Sequence, residues 1–421
     1  MGLNASLTGR HSQKLKTGWS FDLARILLLS NGHGEDLSGA LIGKALKKLD
    51  HEVDALPFVG HGNSYKSAGI TTLGKTREFS TGGLGYTSFY GRLTELLQGQ
   101  VFYLLRRLFC LFSIAYTYDL LVVIGDVVPL TAAWLTGLPV VIYLVAYSSH
   151  YEGKLRLPWP CANCLSTTRC LSIYTRDQLT AEDLTIQLPT NVEFLGNPFM
   201  DSVLIKQIQL QSCEYRIGLL PGSRRPELDN NLLLMLGVIE LLPVSRLEGM
   251  EISFDIALVP SLEETDLRKL VALRGWEISD VLVSGSSMQL VKGQHIINVY
   301  RNCFSQVLQS SDILLCMAGT ATEQAVGLAK PVLQLPGFGP QFTLTFAEAQ
   351  RRLLGPTVFC ANGRVGEEST LKNTGKLMLE LLERSQFDSS LKTKCKQEAL
   401  RRLGSTGGAK RIALAISEFL Y

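Results

Sequence analysis

The stretch IGLLPGSRRPELD, residues 217–229, ends an apolar run on Pro-Gly-Ser, follows it with two arginines, and then sets Pro226, Glu227 and Asp229 where a helix would begin. An apolar strand stopped by a glycine turn and followed at once by a helix is the first half of a βαβ unit. Gly222 lets the backbone approach a ligand closely. The amides of 222–225, at a helix start, form a cradle for an anion. Arg224 or Arg225 offers a planar fork to a phosphate, and Pro226 suits the first helical turn. A plain, well-charged helix start accounts equally for Glu227 and Asp229, because acids favour the positive end of the helix dipole.

Outward from this unit, strands and helices alternate along nearly the whole chain. ARILLLS, EVDALPF, LLVVIG, VVIYLVAY, CLSIYT and VEFLG are strands separated by helical stretches, including a long helix around 91–116. Gly-Asn-Pro at 196–198 interrupts the series. A second series then runs through YRIGLLPG, ISFDIALVP, DILLCMAG, PVLQLPG and PTVFC. The pattern predicts α/β architecture with two Rossmann-like, doubly wound domains facing a cleft. A flexible tail at 1–20 precedes an N-terminal domain at 21–198 and a C-terminal domain at 199–421. The last helix, GGAKRIALAISEFL, is expected to pack back on the first domain. Ligands of such sheets bind beyond the carboxyl ends of the strands, so the loops after strands are the places to search.

Composition narrows the function classes. The 421 residues are 46% hydrophobic and 19% charged, with a net charge of +3. That describes a core-forming protein, not a disordered one, and offers no basic run for nucleic acid. Nine cysteines lie scattered among apolar neighbours, as buried thiols in a reducing compartment do. CANC at 161–164, with Cys170, lacks a second pair at zinc spacing, so packing thiols and no metal are expected. No secretory signal is evident, and MGLNAS matches the myristoylation pattern only as a common accident. The uncharged run 127–149 has the length of a membrane span. Pro129, Gly137 and Pro139 break it into a short helix, a turn and a buried strand.

Two further loops fit the first. In DILLCMAGTATEQAVGLAKPV, Gly319 permits close backbone approach. Thr320 and Thr322 present hydroxyls and cap a helix. Glu323 sits one turn in, where it could accept hydrogen bonds from two ribose hydroxyls; a capping box of Thr320 with Glu323 is the structural alternative. In LPGFGPQFTLTF, Gln341 could read sugar hydroxyls or occupy a surface turn.

LLPGSRRPE, AGTATEQAVGLAKPV and LGNPFMDSV together resemble lipid-A-disaccharide synthase, and most closely the branch called lipid-A-disaccharide-synthase-related, over residues from about 24 to the end. The resemblance implies a GT-B fold whose C-terminal domain holds a UDP-sugar. It implies the diphosphate at Gly222, Ser223 and Arg224, the ribose at Glu323, and the uracil near INVYRN, at the start of a helix containing Tyr300 and Arg301. The family's N-terminal signature is Gly-Glu-Ala-Ser-Gly-Asp, where this chain has GHGEDLSGA.

In the N-terminal half, His33 lies between Gly32 and Gly34 and could serve as a general base near neutrality. It could equally be a turn histidine, with Glu35 and Asp36 serving the helix dipole. Asp126 ends LLVVIGD and faces the cleft of a doubly wound sheet, although Asp also suits a plain helix N-cap. The resemblance points to Asp126 as the base. Residues 89–118, rich in leucine and aromatics with Arg92, Arg106 and Arg107, read as an interfacial helix meeting a membrane or as a buried helix with snorkelling arginines.

These expectations describe an inverting glycosyltransferase that moves a sugar from a UDP-sugar to a lipid or lipid-linked acceptor. It would need no metal or other cofactor, since no Asp-x-Asp motif is present, and would lie in the cytoplasm, either free or peripheral on the inner face of a membrane. A UDP-sugar epimerase on the same fold, and a non-catalytic nucleotide-sugar binder, are the alternatives.

Overall fold

The computed structural model describes residues 23–74, 100–203, 210, 212–242, 251–279, 286–338 and 344–420. The expected tail, Arg92 and Gln341 lie outside the described residues, as does the side chain of His33. The first sheet comprises β1 (Arg25–Ser30), β2 (Glu52–Pro57), β3 (Thr71–Thr72), β4 (Leu120–Ile124), β5 (Val140–Leu144), β6 (Cys170–Thr175) and β7 (Val192–Glu193). Its order is β3-β2-β1-β4-β5-β6-β7, parallel throughout. The second comprises β8 (Tyr215–Leu220), β9 (Ile252–Leu258), β10 (Glu277–Ser279), β11 (Met288–Lys292), β12 (His295–Arg301), β13 (Ile313–Cys316), β14 (Val332–Gln334) and β15 (Val358–Cys360). Its order is β10-β11-β12-β9-β8-β13-β14-β15. Only β10 and β11, and β11 and β12, pair antiparallel among the described residues.

Apolar strand runs form here because both sheet faces are covered. Leu27, Leu29, Leu121, Val123 and Ile142 pack on one face of the first sheet. Their neighbours Ile26, Leu28, Leu120, Val122 and Val141 pack on the other. In the second sheet Ile217, Leu219, Ile313 and Leu315 pack on one side, with Leu220, Leu314 and Cys316 on the other. Each fully buried aliphatic side chain contributes about 1.5–3 kcal/mol, so these alternating runs fix the register.

The chain crosses between sheets through Gly-Asn-Pro. Asn197 accepts from Phe199 N at 3.0 Å, and Asp201 accepts from Gly407 N at 2.6 Å and Ala409 N at 2.9 Å. The late helix Gly408–Ser417 is thereby aimed at the first domain. Ile412, Ala413 and Ile416 join the core of the first sheet, and Ser417 Oγ lies 2.9 Å from His51 Nε2.

The run 127–149 divides as its Pro and Gly punctuation requires, into the helix Val127–Leu135 and β5. Among the described residues no helix is long and apolar enough to cross a membrane. One expectation fails. INVYRN does not open a helix. Tyr300 and Arg301 end β12, which pairs with β11 as a hairpin, and the next helix begins at Phe304. Tyr300 is fully buried, so its ring belongs to the core; the resemblance implies contacts to the uracil largely through main-chain groups, which this burial does not address.

Candidate active site

Among its parallel strands, each sheet has one place where the strand order reverses. In the first it lies between β1 and β4, in the second between β8 and β13. Crevices form at such switch points because the helices after the two strands leave on opposite faces. The two loops expected to carry chemistry in each half of the chain come directly after these four strands.

At the first switch point three carboxyl groups meet. Asp126 follows β4 and caps the helix Val127–Leu135, its Oδ1 accepting from Val128 N at 2.8 Å. Its Oδ2 accepts from Asn31 Nδ2, just beyond β1, at 3.1 Å. Both readings of Asp126 thus hold at the level of geometry: it is a helix cap, and it stands at the crevice. Burial holds its proton above the usual carboxylate range.

Glu35, in the first turn of the helix His33–Lys47, does more than serve the helix dipole. Its Oε2 accepts from Asn31 N at 2.5 Å, and its carboxyl packs against Gly125. A Cβ at Gly125 would stand 2.5 Å from Glu35 Oε2, and Gly125 has a φ of 145°. A side chain there meets both a clash and an unfavourable backbone. Burial first, then the charge of Asp126, push the Glu35 carboxyl well above its usual value. Burial and the neighbouring carboxylate thus raise the proton affinity of Glu35, and burial raises that of Asp126 beside it. Asp36 Oδ1 accepts from Ser30 Oγ at 2.6 Å, with Tyr65 Oη donating to Ser30 Oγ at 2.9 Å, and the Asp36 charge adds to the rise at Glu35. His33 is the first residue of the helix.

At the second switch point the composition is opposite. Pro221 to Arg224 leave β8 beside Met317, which follows β13: Asn231 Nδ2 donates to Pro221 O at 2.9 Å and reaches Met317 O at 3.5 Å. Gly222 has a φ of 110°, and a Cβ there would lie 3.4 Å from Met317 O. The φ of 110°, more than the room beside Met317, is what calls for glycine here. Ser223 and Arg224 are exposed. The two arginines separate in role. Arg225 is tied to Asp229 at 2.9 Å and Asp266 at 2.6 Å, whereas among the described residues no ion pair engages Arg224. Pro226 occupies the N-cap of the helix Glu227–Glu240, one place before the first turn expected for it.

The loop after β13 corrects two expectations. The helix Gly319–Gly327 is capped by the extended backbone of Ala318, and no side chain caps it. Thr320 is exposed at its first turn. Thr322 is fully buried, donating to Ala318 O at 2.8 Å, so its hydroxyl faces the core and not the crevice. Gly319 is exposed, with room for a Cβ only 3.3 Å from Gln350 Nε2. Glu323 forms no capping box. Its Oε2 lies 2.9 Å from Nη2 of Arg176, the residue after β6 in the other domain. The carboxyl ends of the two sheets therefore face each other, and the sequence reading misses both Glu35 and Arg176.

Two further expectations concern thiols and the aromatic helix. Cys161 and Cys164 are buried, and burial pushes the Cys161 and Cys170 thiols up to about 12, the state of packing thiols. Among the described residues no group of three or more His, Cys, Asp or Glu could hold a metal. Along the helix Gln100–Ile114, Phe102, Leu105, Phe109 and Phe112 are exposed, continued by Tyr116. Arg107 does not snorkel: it is buried and donates to the carbonyls of Leu73, at 2.9 Å, and Pro57.

No family model matches the sequence, and no curated protein matches it. Solved structures do. A UDP-GlcNAc 2-epimerase from Neisseria meningitidis, solved with UDP-GlcNAc bound, is 15% identical over 94% of this chain and 100% of its own, at a TM-score of 0.51. A calicheamicin glycosyltransferase is 15% identical over 95% and 98%, at 0.58. MurG from Acinetobacter baumannii is 13% identical over 94% and 99%, at 0.54. With two Rossmann-like domains closing on a cleft, and similarity to these structures over nearly their full length, the chain has the GT-B fold.

Proposed function

We propose that the chain is an inverting glycosyltransferase that moves a glucosamine-type sugar from a UDP-sugar to a lipid or lipid-linked sugar, as lipid-A-disaccharide synthase does. One observation carries the reading: an acid-bearing crevice at the first switch point is set against a glycine-rich crevice bearing Arg224 at the second, across one cleft. UDP-sugars or nucleotides also occupy relatives of this fold, as the Neisseria epimerase with UDP-GlcNAc illustrates.

In this reading the loops after β8 and β13 take the donor. Gly222, Ser223 and Arg224 meet its diphosphate, and Glu323, Gly319 and Thr320 lie toward its ribose. Asp126 removes the proton of the acceptor hydroxyl, which attacks the anomeric carbon from the face opposite the UDP. Negative charge grows on the departing diphosphate. Donors fixed there stabilise the transition state more than the ground state. The amides and Arg224 carry this neutralisation without assistance from a metal. Glu35, whose proton affinity is raised by burial and by Asp126, disfavours a second negative charge in the crevice. The exposed stripe Phe102–Leu105–Phe109–Phe112–Tyr116 supports a lipid-bearing acceptor at a membrane surface, since such a helix lies in the interface plane.

A UDP-sugar epimerase is the second reading. The Glu35–Asp126 pair favours it, because two neighbouring carboxyls whose proton affinities are both raised can take a proton and return one. Incubation with UDP-N-acetylglucosamine, with and without an acylated glucosamine acceptor, separates the two by NMR. The transferase forms a disaccharide of inverted anomeric configuration and releases UDP only with acceptor. Epimerised nucleotide sugar in the absence of acceptor would establish the second reading and end the first.

A further inference from the structure

One buried ion pair bridges the two crevices. Arg176 follows β6 directly, and its Nη2 stands 2.9 Å from Glu323 Oε2, with the side chains only 11% and 14% exposed. Arg176 Nη1 donates to Val145 O at 3.0 Å, just past β5. Tyr143 of β5 is fully buried beside this pair, and its hydroxyl has no partner among the described residues. Burial, which would strip the Arg176 proton, is outweighed by the Glu323 charge.

A buried ion pair contributes little net stability, because desolvation offsets the attraction. A cation this deep nevertheless needs an anion at all times. Glu323 sits in the helix whose first residue is Gly319, and two carboxylate oxygens suit a vicinal diol, whereas a guanidinium fork suits phosphate oxygens. The charge count points the same way. The diphosphate of a nucleotide sugar carries two negative charges. Among the described residues, the turns directly after β8 and β13 offer it Arg224 alone, since Arg225 is held by Asp229 and Asp266.

We infer that Arg176, from the first domain, is the second cation for the donor's diphosphate, held on Glu323 until the ribose diol of the incoming nucleotide displaces it. This rests on the donor-site reading above. Partner exchange keeps both Arg176 and Glu323 compensated throughout, and it couples donor binding to contact between the domains.

Calorimetric titration of the full chain with UDP and with uridine tests the inference. Wild type binding UDP establishes the donor site independently of Arg176. Arg176→Met then lowers UDP affinity at least tenfold, while uridine, which has a ribose and no diphosphate, binds as well as before or more tightly because Glu323 is free. Glu323→Gln weakens both ligands. The double variant Arg176→Met/Glu323→Gln carries no orphaned charge, so it remains informative should Arg176→Met unfold, while Arg176→Met against wild type suffices should Glu323→Gln unfold. It binds UDP about tenfold more weakly than Glu323→Gln does. Wild-type UDP affinity in Arg176→Met, or equal UDP affinity in Glu323→Gln and the double variant, overturns the inference and leaves the donor site standing. Failure of wild type to bind either ligand overturns both.

Discussion

The two switch points share a fold and differ in electrostatics. At the first, Glu35, Asp36 and Asp126 crowd the ends of β1 and β4, compensated by neutral donors: the Asn31 main chain and side chain, Ser30 and a helix amide. At the second, the segment Gly222–Arg224 has no acid, and its neighbour Arg225 is neutralised in place. Crowded carboxyls in a partly dry crevice raise one another's proton affinity and suit proton transfer. Glycine amides beside a guanidinium suit an anion. The same βαβ turn suits opposite uses in the two domains, according to whether carboxyls or glycines and arginine come after the strand. Each expected effect probes that division of labour.

The largest effect belongs to the acid side. Asp126→Asn keeps the cap on Val128 through its Oδ1 but loses the proton acceptor, and its new NH2 keeps the contact with the Asn31 amide only if that amide turns over, so kcat should fall by about 10²- to 10⁴-fold, with UDP affinity unchanged by calorimetry. Lost UDP affinity in that variant would mean the two crevices are not separate in function. Next comes the cation side. Arg224→Ala should lower kcat by about 10²- to 10³-fold, roughly 3–4 kcal/mol of barrier, as for one oxyanion donor. Arg225→Ala, whose guanidinium already serves Asp229 and Asp266, should leave kcat within a few-fold. Equal losses in the two arginine variants would erase the distinction between them.

The division is only partly legible in the sequence. Runs such as RILLLS and LLVVI announce strands covered on both faces, and Pro-Gly-Ser and Ala-Gly-Thr mark the turns after them. The hairpin β11–β12 escapes the sequence reading, although Gly293-Gln294 between two apolar runs is a two-residue turn signal. INVYRN, read as the start of a helix, is in fact a strand end. Thr320 and Glu323 have capping-box spacing, yet Ala318 takes the extended cap position and Glu323 leaves for Arg176. Glu35 has the look of a dipole acid. Its contact with Gly125, brought about by the pairing of β1 with β4, sets it apart. Long-range pairing of this kind leaves no periodic trace in the chain.

That contact can be broken directly. Gly125→Ala places a methyl 2.5 Å from the Glu35 carboxyl and forces an L-residue into a φ of 145°. Relief requires the carboxyl to swing out. The expected cost is about 1–3 kcal/mol in urea unfolding, with kcat falling as the carboxyl pair separates. Wild-type stability would show that the first crevice is looser than its packing indicates.

The smallest effect is the most specific to the carboxyl pair. Burial and then Asp126 raise the folded-state proton affinity of Glu35, while in the unfolded chain a glutamate titrates near about 4.3. Below that pH both states hold the proton, and the stability of the protonated carboxyl is fully present. As pH rises, the unfolded chain releases its proton and the folded chain keeps it, so stability falls until the raised folded value is passed. Glu35→Gln retains shape and removes the titration. It should match wild type near pH 4, where both carry a neutral side chain, and become progressively more stable than wild type toward pH 8 in urea midpoints. Asp126, also raised by burial, leaves a smaller slope of the same sign in the variant. A gap that stays constant with pH would show that Glu35 titrates as a solvated carboxylate. A gap that widens, together with lower kcat in Glu35→Gln, would identify the acid crevice as a site kept at the expense of stability for the chemistry it performs.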